Sequence, residues 1–357
     1  MENRRRINSN LARWIAQKVE TDYPQDISLV CIYGSYINGT MNKMSDLDCY
    51  FIPKNEKSDS FARTFLIDGV GYDIFPMTWE RLEAISRLEG GMQPLLGDVK
   101  ILYAASREEL SRFRELQSQL KQKLADPVYC RTAAIARCRQ AAEFLASAAH
   151  SSPSYHKWMT AGQMLMVLAE GIALFHRDYY HQGLKNQYST LCSQFPQVPD
   201  TIKSLYKSVV LADSPENALH QARLLLEAVC FHMQISCPQP SAPAPEDPAV
   251  PSRNIPLLTA LYQEICSTFQ KIYLACEKQD PVLAFLSAVN LQGDLEYAVT
   301  LDSPEYDLFT HFDSASLSDF SESIRTIEHS LVSFLLENGA HIHSYSSFED
   351  FEIHNPL

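Results

Sequence analysis

The chain has 357 residues, of which 46% are apolar and 20% charged, as in folded globular proteins of two or three domains and unlike disordered or low-complexity chains. Its formal net charge of −13 disfavours nucleic acid or an anionic membrane as the main partner. Nine cysteines without a C-x-x-C pair, a polar N-terminus and no run of 18 apolar residues predict a soluble cytoplasmic protein without a membrane span.

The first third of the chain alternates helical and strand patterns. The expected strands cover residues 27–33, 46–52, 61–67, 72–77 and 99–103, and the expected helices cover 5–20, 78–88 and 107–123. The dipeptide Asp68-Gly69 favours a tight hairpin turn between two of these strands. The run of arginines at residues 4–6 is interpreted as a solvated helix end, because the chain as a whole is acidic.

Strand signals nearly disappear after Pro127. Further helices are expected at 129–149, 155–180, 199–212, 215–235, 257–278, 281–294 and 316–337. Residues 237–256 contain seven of the 19 prolines, a composition that is excluded from helix and sheet interiors and predicts a linker or a long surface loop. The expected fold class is α+β, with a mixed-sheet domain at 1–125, a helical domain at 126–236, the proline-rich segment at 237–256, and a helical region with an acidic tail at 257–357.

Residues 33–51 are the most informative window. They join a strand, the turn Gly34-Ser35 and a second strand that carries Asp46 and Asp48. Side chains two residues apart on a strand share a face, so both carboxylates are expected together, with Leu47 pointing into the core. Two carboxylates about 6 Å apart repel by about 3 kcal/mol at an effective dielectric near 20. A hard divalent cation removes that cost.

A third carboxylate, Asp73, lies between apolar neighbours on the predicted strand 72–77. If that strand lies beside the one with Asp48, all three carboxylates reach one face and can hold two metal ions for a phosphoryl displacement. Gly34 permits a tight turn, and Ser35 opens a helical segment whose free N–H groups and hydroxyl can bind phosphate oxygens.

The order of Gly34-Ser35, ten residues, Asp46-Leu47-Asp48 and a later Asp73 resembles the signature of the nucleotidyltransferase (polymerase-β-like) superfamily. The resemblance covers about residues 27–76. It implies that the three aspartates are catalytic metal ligands, with Asp73 as ligand or general base, and that Gly34 and Ser35 contact a triphosphate. It also implies Mg²⁺ as cofactor and ATP or another NTP as co-substrate.

A small nucleotidyltransferase domain followed by helices resembles the antibiotic nucleotidyltransferases, which modify a hydroxyl of an aminoglycoside or lincosamide. The expected enzyme therefore transfers an NMP, with AMP favoured, to a hydroxyl of a small acceptor such as an aminoglycoside-like compound. Two alternatives stay open. Gly39-Thr40 also resembles the bacterial immune cyclases that make cyclic oligonucleotides, and a non-catalytic nucleotide-binding or antitoxin-like partner protein could carry the same motif.

The remaining polar residues have both a structural and a functional interpretation. Glu143 and Glu170 are solvated helix charges or general bases for the acceptor hydroxyl. The cluster at residues 176–181 ends a helix with favourable cations or lines the acceptor or triphosphate pocket. Residues 301–357 hold eleven acidic residues against Arg325 alone, and this excess would attract a cationic acceptor only if the region borders the cleft.

Overall fold

The computed structural model describes residues 1–148, 155–183, 186–239 and 253–357. Its strands are β1 (Ile27–Tyr33), β2 (Asp48–Pro53), β3 (Arg63–Ile67), β4 (Val70–Pro76), β5 (Lys100–Ala104) and β6 (Ser344–Tyr345). Its α-helices are α1 (Glu2–Asp22), α2 (Ser35–Asn38), α3 (Trp79–Ser86), α4 (Pro94–Gly97), α5 (Arg107–Ala125), α6 (Pro127–Ala148), α7 (Tyr155–Phe175), α8 (Gln187–Gln194), α9 (Asp200–Val210), α10 (Pro215–His232), α11 (Ile255–Glu277), α12 (Pro281–Thr300), α13 (Leu317–Glu337) and α14 (Phe348–His354), and a 3₁₀ helix covers Glu56–Phe61.

The six strands form one mixed sheet in the order β5-β1-β2-β4-β3-β6. Neighbouring strands are antiparallel except for β2 with β4 and β3 with β6. One face packs its apolar side chains against α1 and α14, and the other packs against α3 to α5 and joins the core of the helical region. The predicted α+β class is confirmed.

Most predicted elements appear within a few residues of their expected bounds, and the differences have local causes. Of the proline-rich segment 237–256, residues 240–252 lie outside the described part of the chain. The last proline of that segment, Pro256, is inside the first turn of α11. Proline is tolerated there because the first N–H groups of a helix have no partner within the helix.

The C-terminal tail, which shows no clear period in the sequence, returns to the sheet. Its short strand β6 pairs in parallel with β3, and α14 then packs on α1. The ring of Phe351 lies 5.0 Å from that of Trp14 and 4.7 Å from that of Phe65. The Trp14 indole N–H donates to the carbonyl of Asn355 at 3.0 Å. The tail therefore closes the core on the α1 side of the sheet.

In the described residues, α7 is the one helix long and apolar enough to cross a membrane. However, 72% of its most apolar window is buried inside the protein, where it packs against α6, α10 and α12. Its place in the protein core explains its apolar composition. All nine cysteines are free.

A buried polar network joins α1 to the sheet and corrects the interpretation of the arginine run. Arg4 is only 5% exposed and donates to the Ile67 carbonyl and to the Tyr72 hydroxyl, both at 3.1 Å. The Tyr72 hydroxyl donates to Asn8 Oδ1 at 2.8 Å, and Asn8 Nδ2 donates to the Asp46 carbonyl at 2.8 Å. Arg4 is therefore a structural residue, and the network fixes the backbone at Asp46.

We expect Asn8→Ala to lower the free energy of unfolding by about 2–3 kcal/mol, because it leaves the Tyr72 hydroxyl and the Asp46 carbonyl without their buried partner. Denaturant titration measures this loss. Asn3→Ala, on the exposed side of the same helix, is the control and should change stability by less than about 0.5 kcal/mol. Equal effects of the two substitutions would contradict a structural role for the network.

Candidate active site

Asp48 is the first residue of β2, and Asp46 lies just before the strand. The pairing of β1 with β2 ends at Tyr33 and Asp48, because the chain turns away at Gly34 into α2. Asp46 consequently precedes the strand, and the prediction of a strand from residue 46 is wrong at that end. The predicted alternation of side chains between core and cavity still holds. Leu47 is 1% exposed, and both aspartates are half-buried on the walls of the same cavities.

Asp73 lies beside Asp48 because β2 and β4 pair in parallel. Cys49 is opposite Ile74, so Asp48 and Asp73 occupy the preceding positions on the two neighbouring strands. Cys49 and Ile74 belong to the core on the α1 side of the sheet. Since side chains alternate along a strand, Asp48 and Asp73 face the opposite side together.

Glycine is required at Gly34 for two reasons. Its φ of 72° is unfavourable for other residues, and a Cβ there would lie 1.9 Å from Asp48 Oδ2. The backbone can thus approach the carboxylate closely before α2 begins. The next residue, Ser35, is 7% exposed, and its Oγ has no hydrogen-bond partner among the described residues.

Two adjoining cavities meet at Asp46 and Asp48. The first, of about 440 Å³, is called the acidic cavity, and the second, of about 370 Å³, is called the apolar cavity. The acidic cavity lies between β4 and the helices α11 and α12, and the apolar cavity continues past Ser35 to the end of α7. Both are lined by Tyr33, Asp46, Asp48, Thr268 and Lys271.

The acidic cavity exists because α11 packs directly on β4. A Cβ at Gly71 would lie 2.5 Å from the carbonyl oxygen of Gln263, so only glycine lets the helix approach this closely. Gln263 also donates from Nε2 to Thr64 Oγ1 at 2.9 Å. This contact places Glu264 and Lys271 of α11 over the strand that carries Asp73.

The acidic cavity collects five carboxylates and two cations. The carboxylates are those of Asp46, Asp48, Asp73, Glu264 and Asp294, and the cations are Arg81 and Lys271. Burial, followed by repulsion from Glu264, Asp46 and Asp48, raises the pKa of Asp73 to about 7. Burial and Glu264 likewise raise the pKa of Asp294 to about 7, opposed by Lys271.

The apolar cavity contains a cation that sequence analysis left ambiguous. The prediction of a helix up to residue 180 is too long, because α7 ends at Phe175 and the chain then turns His181 onto the cavity wall. His181 Nδ1 lies 2.7 Å from Asp98 Oδ2, and its Nε2 lies 3.2 Å from Asp178 Oδ1. Hydrogen bonds to Asp178 and Asp98 raise the pKa of His181 to about 10, so it is charged at neutral pH.

The two glutamates considered as general bases have different surroundings. Glu170 lines the apolar cavity and accepts from Arg137 Nε at 3.0 Å. Glu143 is exposed on α6 and lines neither cavity. Neither glutamate shares the acidic cavity with Asp73.

The side chains at the junction of the cavities fit a hard divalent cation and a phosphate. Asp46, Asp48 and Asp73 offer oxygen ligands, and the unpartnered Ser35 Oγ lies in a cradle that a Cβ at Gly34 would fill. Among the described residues, no three His, Cys, Asp or Glu side chains converge into a ready-made metal site. Mg²⁺ needs no such cage, since it usually binds a few carboxylates together with substrate phosphates and water.

Residues 12–141, from α1 into α6, match the family model of the nucleotidyltransferase domain. The crystal structure of a nucleotidyltransferase-like protein from Exiguobacterium sibiricum 255-15 is also similar. That likeness covers 94% of this chain and 91% of the other, with 11% identity and a TM-score of 0.32, and carries no further conclusion. No curated protein matches the chain in sequence.

Four charged residues of the acidic cavity were missed by sequence analysis, namely Arg81, Glu264, Lys271 and Asp294. The polar residues Glu264, Thr268 and Lys271 recur at i, i+4 and i+7 on the otherwise apolar helix α11, and all three line the cavity. This spacing puts them on one face of a helix. A polar stripe on a largely buried helix was therefore the available signal.

We expect the stability of the metal-free protein to fall as the pH rises from about 4 to 7. In that window folded Asp73, with a pKa of about 7, binds more protons than the unfolded chain, whose aspartate has a pKa near 3.8. Asp73→Asn should therefore raise the Tm by a few degrees at pH 8 and flatten the pH profile, and Asp294→Asn should act in the same direction.

Scanning calorimetry in a chelator between pH 4 and 8 measures these profiles. The exposed Asp59→Asn is the matched control and should follow the wild type. Parallel profiles for wild type and Asp73→Asn would contradict the raised pKa.

Proposed function

We propose that the protein is a Mg²⁺-dependent nucleotidyltransferase that transfers an NMP, with AMP favoured, from an NTP to a hydroxyl of a small acceptor. The observation that carries the proposal is the position of Asp48 and Asp73 on neighbouring strands, both facing the acidic cavity, while Asp48 also lines the apolar cavity together with Gly34 and Ser35. The match of residues 12–141 to a nucleotidyltransferase domain supports the same class of reaction.

In this proposal each residue at the junction has a separate task. Asp46, Asp48 and Asp73 hold magnesium, which when bound neutralises charge on the transferred phosphoryl group. The backbone at Gly34 and the Ser35 hydroxyl hold phosphate oxygens of the NTP. Lys271, which lines both cavities, faces the triphosphate and offsets part of its charge, whereas the charge of His181 is already balanced by Asp98 and Asp178.

The acceptor enters through the acidic cavity. Its hydroxyl oxygen forms a bond to the α-phosphorus, the bond from the α-phosphorus to the bridging oxygen breaks, and pyrophosphate leaves. The hydroxyl proton passes to a carboxylate of the cavity. Asp294, which is not assigned to the metal and has a pKa of about 7, has the proton affinity that a general base requires near neutrality.

A cationic acceptor, such as an aminoglycoside-like compound, suits this cavity. Beyond the three aspartates that would hold metal, Glu264 and Asp294 are carboxylates that can pair with cationic groups of an acceptor, beside Arg81 and Lys271. The acidic tail contributes nothing locally, because no described residue after Asp294 lines either cavity. The support for a cationic acceptor therefore comes from α11 and α12 and not from the net charge of residues 301–357.

Ser35→Ala should weaken binding of MgATP by about tenfold and leave the Tm unchanged, because the Ser35 hydroxyl has no partner in the fold to lose. Isothermal calorimetry and thermal melts give the two values. Ser45→Ala, in the loop between α2 and β2, is the matched control. Ser45 Oγ accepts from the Asn42 N–H at 2.9 Å, so its loss should lower the Tm. A fall in Tm for Ser35→Ala with unchanged affinity would contradict the assignment.

Transfer itself is tested by incubating the protein with labelled ATP and GTP, Mg²⁺ and a panel of aminoglycosides and lincosamides. We expect a labelled acceptor adduct and pyrophosphate from wild type and from Asp59→Asn, and at least a 100-fold lower rate from Asp48→Asn because a metal ligand is lost. A labelled product formed from nucleotides alone would favour a cyclase. Binding without any product would favour a nucleotide-binding partner protein.

A further inference from the structure

A buried tyrosine hydroxyl without a partner lies beside the apolar cavity. Tyr180 is 8% exposed and lines the cavity, and its hydroxyl has no hydrogen-bond partner among the described residues. Its ring is held against Phe195, with centroids 5.8 Å apart. A buried hydroxyl costs free energy unless a partner is supplied, so a ligand with an acceptor atom would gain affinity here.

An acceptor group lies on the same wall. Glu170 lines the cavity and is bound on one oxygen by Arg137 Nε at 3.0 Å, which fixes the orientation of the carboxylate. Arg137 is itself 7% exposed, and its Nη2 lacks a partner among the described residues. The same cavity therefore presents a hydroxyl donor without a partner and a carboxylate acceptor whose orientation is fixed.

The walls between these groups and Ser35 are suited to a flat aromatic ring. They are formed mainly by apolar and aromatic side chains: Met92, Pro94, Leu174, Tyr179 and Leu283. Ligand pockets of this kind bury a ring between apolar walls and use a few polar groups to fix its orientation. The cavity is continuous with the Gly34-Ser35 turn, where the proposed function places the phosphates.

We propose that the apolar cavity binds the base of the NTP and that Tyr180 and Glu170 select a base carrying an amino group. The inference rests on the proposed function. In adenine, guanine and cytosine an N–H donor can meet Glu170 while a neighbouring ring nitrogen or carbonyl accepts from Tyr180. In uracil the one N–H lies between two carbonyl oxygens, which the carboxylate repels.

The test compares binding of ATP, GTP, CTP, UTP and inorganic tripolyphosphate to the full chain by calorimetry with Mg²⁺. Wild type should bind the three amino-bearing nucleotides about tenfold more tightly than UTP. Tyr180→Phe should lose about tenfold in affinity for ATP and keep its affinity for tripolyphosphate, which has no base. Tyr306→Phe removes another buried, unpartnered hydroxyl that lines neither cavity, so it should leave every affinity unchanged.

Glu170→Gln is the second variant and should reduce the ratio of ATP to UTP affinity by about tenfold, because an amide can donate to a uracil carbonyl. Equal affinity of wild type for ATP and UTP, or ATP affinities unchanged in both folded variants, would overturn the inference alone. Loss of tripolyphosphate and ATP affinity together in Tyr180→Phe would also overturn it. Failure of wild type to bind any of the five ligands would overturn the proposed function and this inference with it.

Discussion

The concentration of negative charge at one end of β2 and β4 is the constraint on which the candidate site depends. Five carboxylates line a cavity of about 440 Å³ with only Arg81 and Lys271 to oppose them. The raised pKa values of Asp73 and Asp294 mean that holding the ionised carboxylates together lowers the stability of the folded protein. In the proposed function, bound magnesium and nucleotide would remove this cost.

Two glycines allow the carboxylates to come together, because at each of them another group occupies the space that a Cβ would need. At Gly34 the backbone comes close to the Asp48 carboxylate, and at Gly71 the carbonyl of Gln263 on α11 takes the place of a Cβ. The polar network from Arg4 through Tyr72 to Asn8 then holds the loop at Asp46. Function at this site would thus depend on residues that touch neither nucleotide nor acceptor.

The division of the site into two cavities provides a separate place for each substrate of the proposed reaction. In the proposed function the apolar walls on the side of Ser35 would hold the nucleotide, and the carboxylates on the side of Asp73 would hold the acceptor. The shared residues between them are where the phosphoryl group would be transferred.

The sequence by itself determined the strands around the motif, the Asp68-Gly69 hairpin and the pairing of Asp48 with a later aspartate, because strand alternation and turn residues act over short distances. It could not place Asp46 outside β2, since that depends on where β1 turns away. It could not find β6 or the roles of Glu264 and Asp294 either. The tail forms a strand only by pairing with β3. The helices α11 and α12 line the cavity that contains Asp73 only because α11, some 190 residues after Gly71 in the chain, packs on that glycine. The spacing of polar residues on α11 indicates a polar face but not the strand that this face covers, so only the tertiary structure decided the contact.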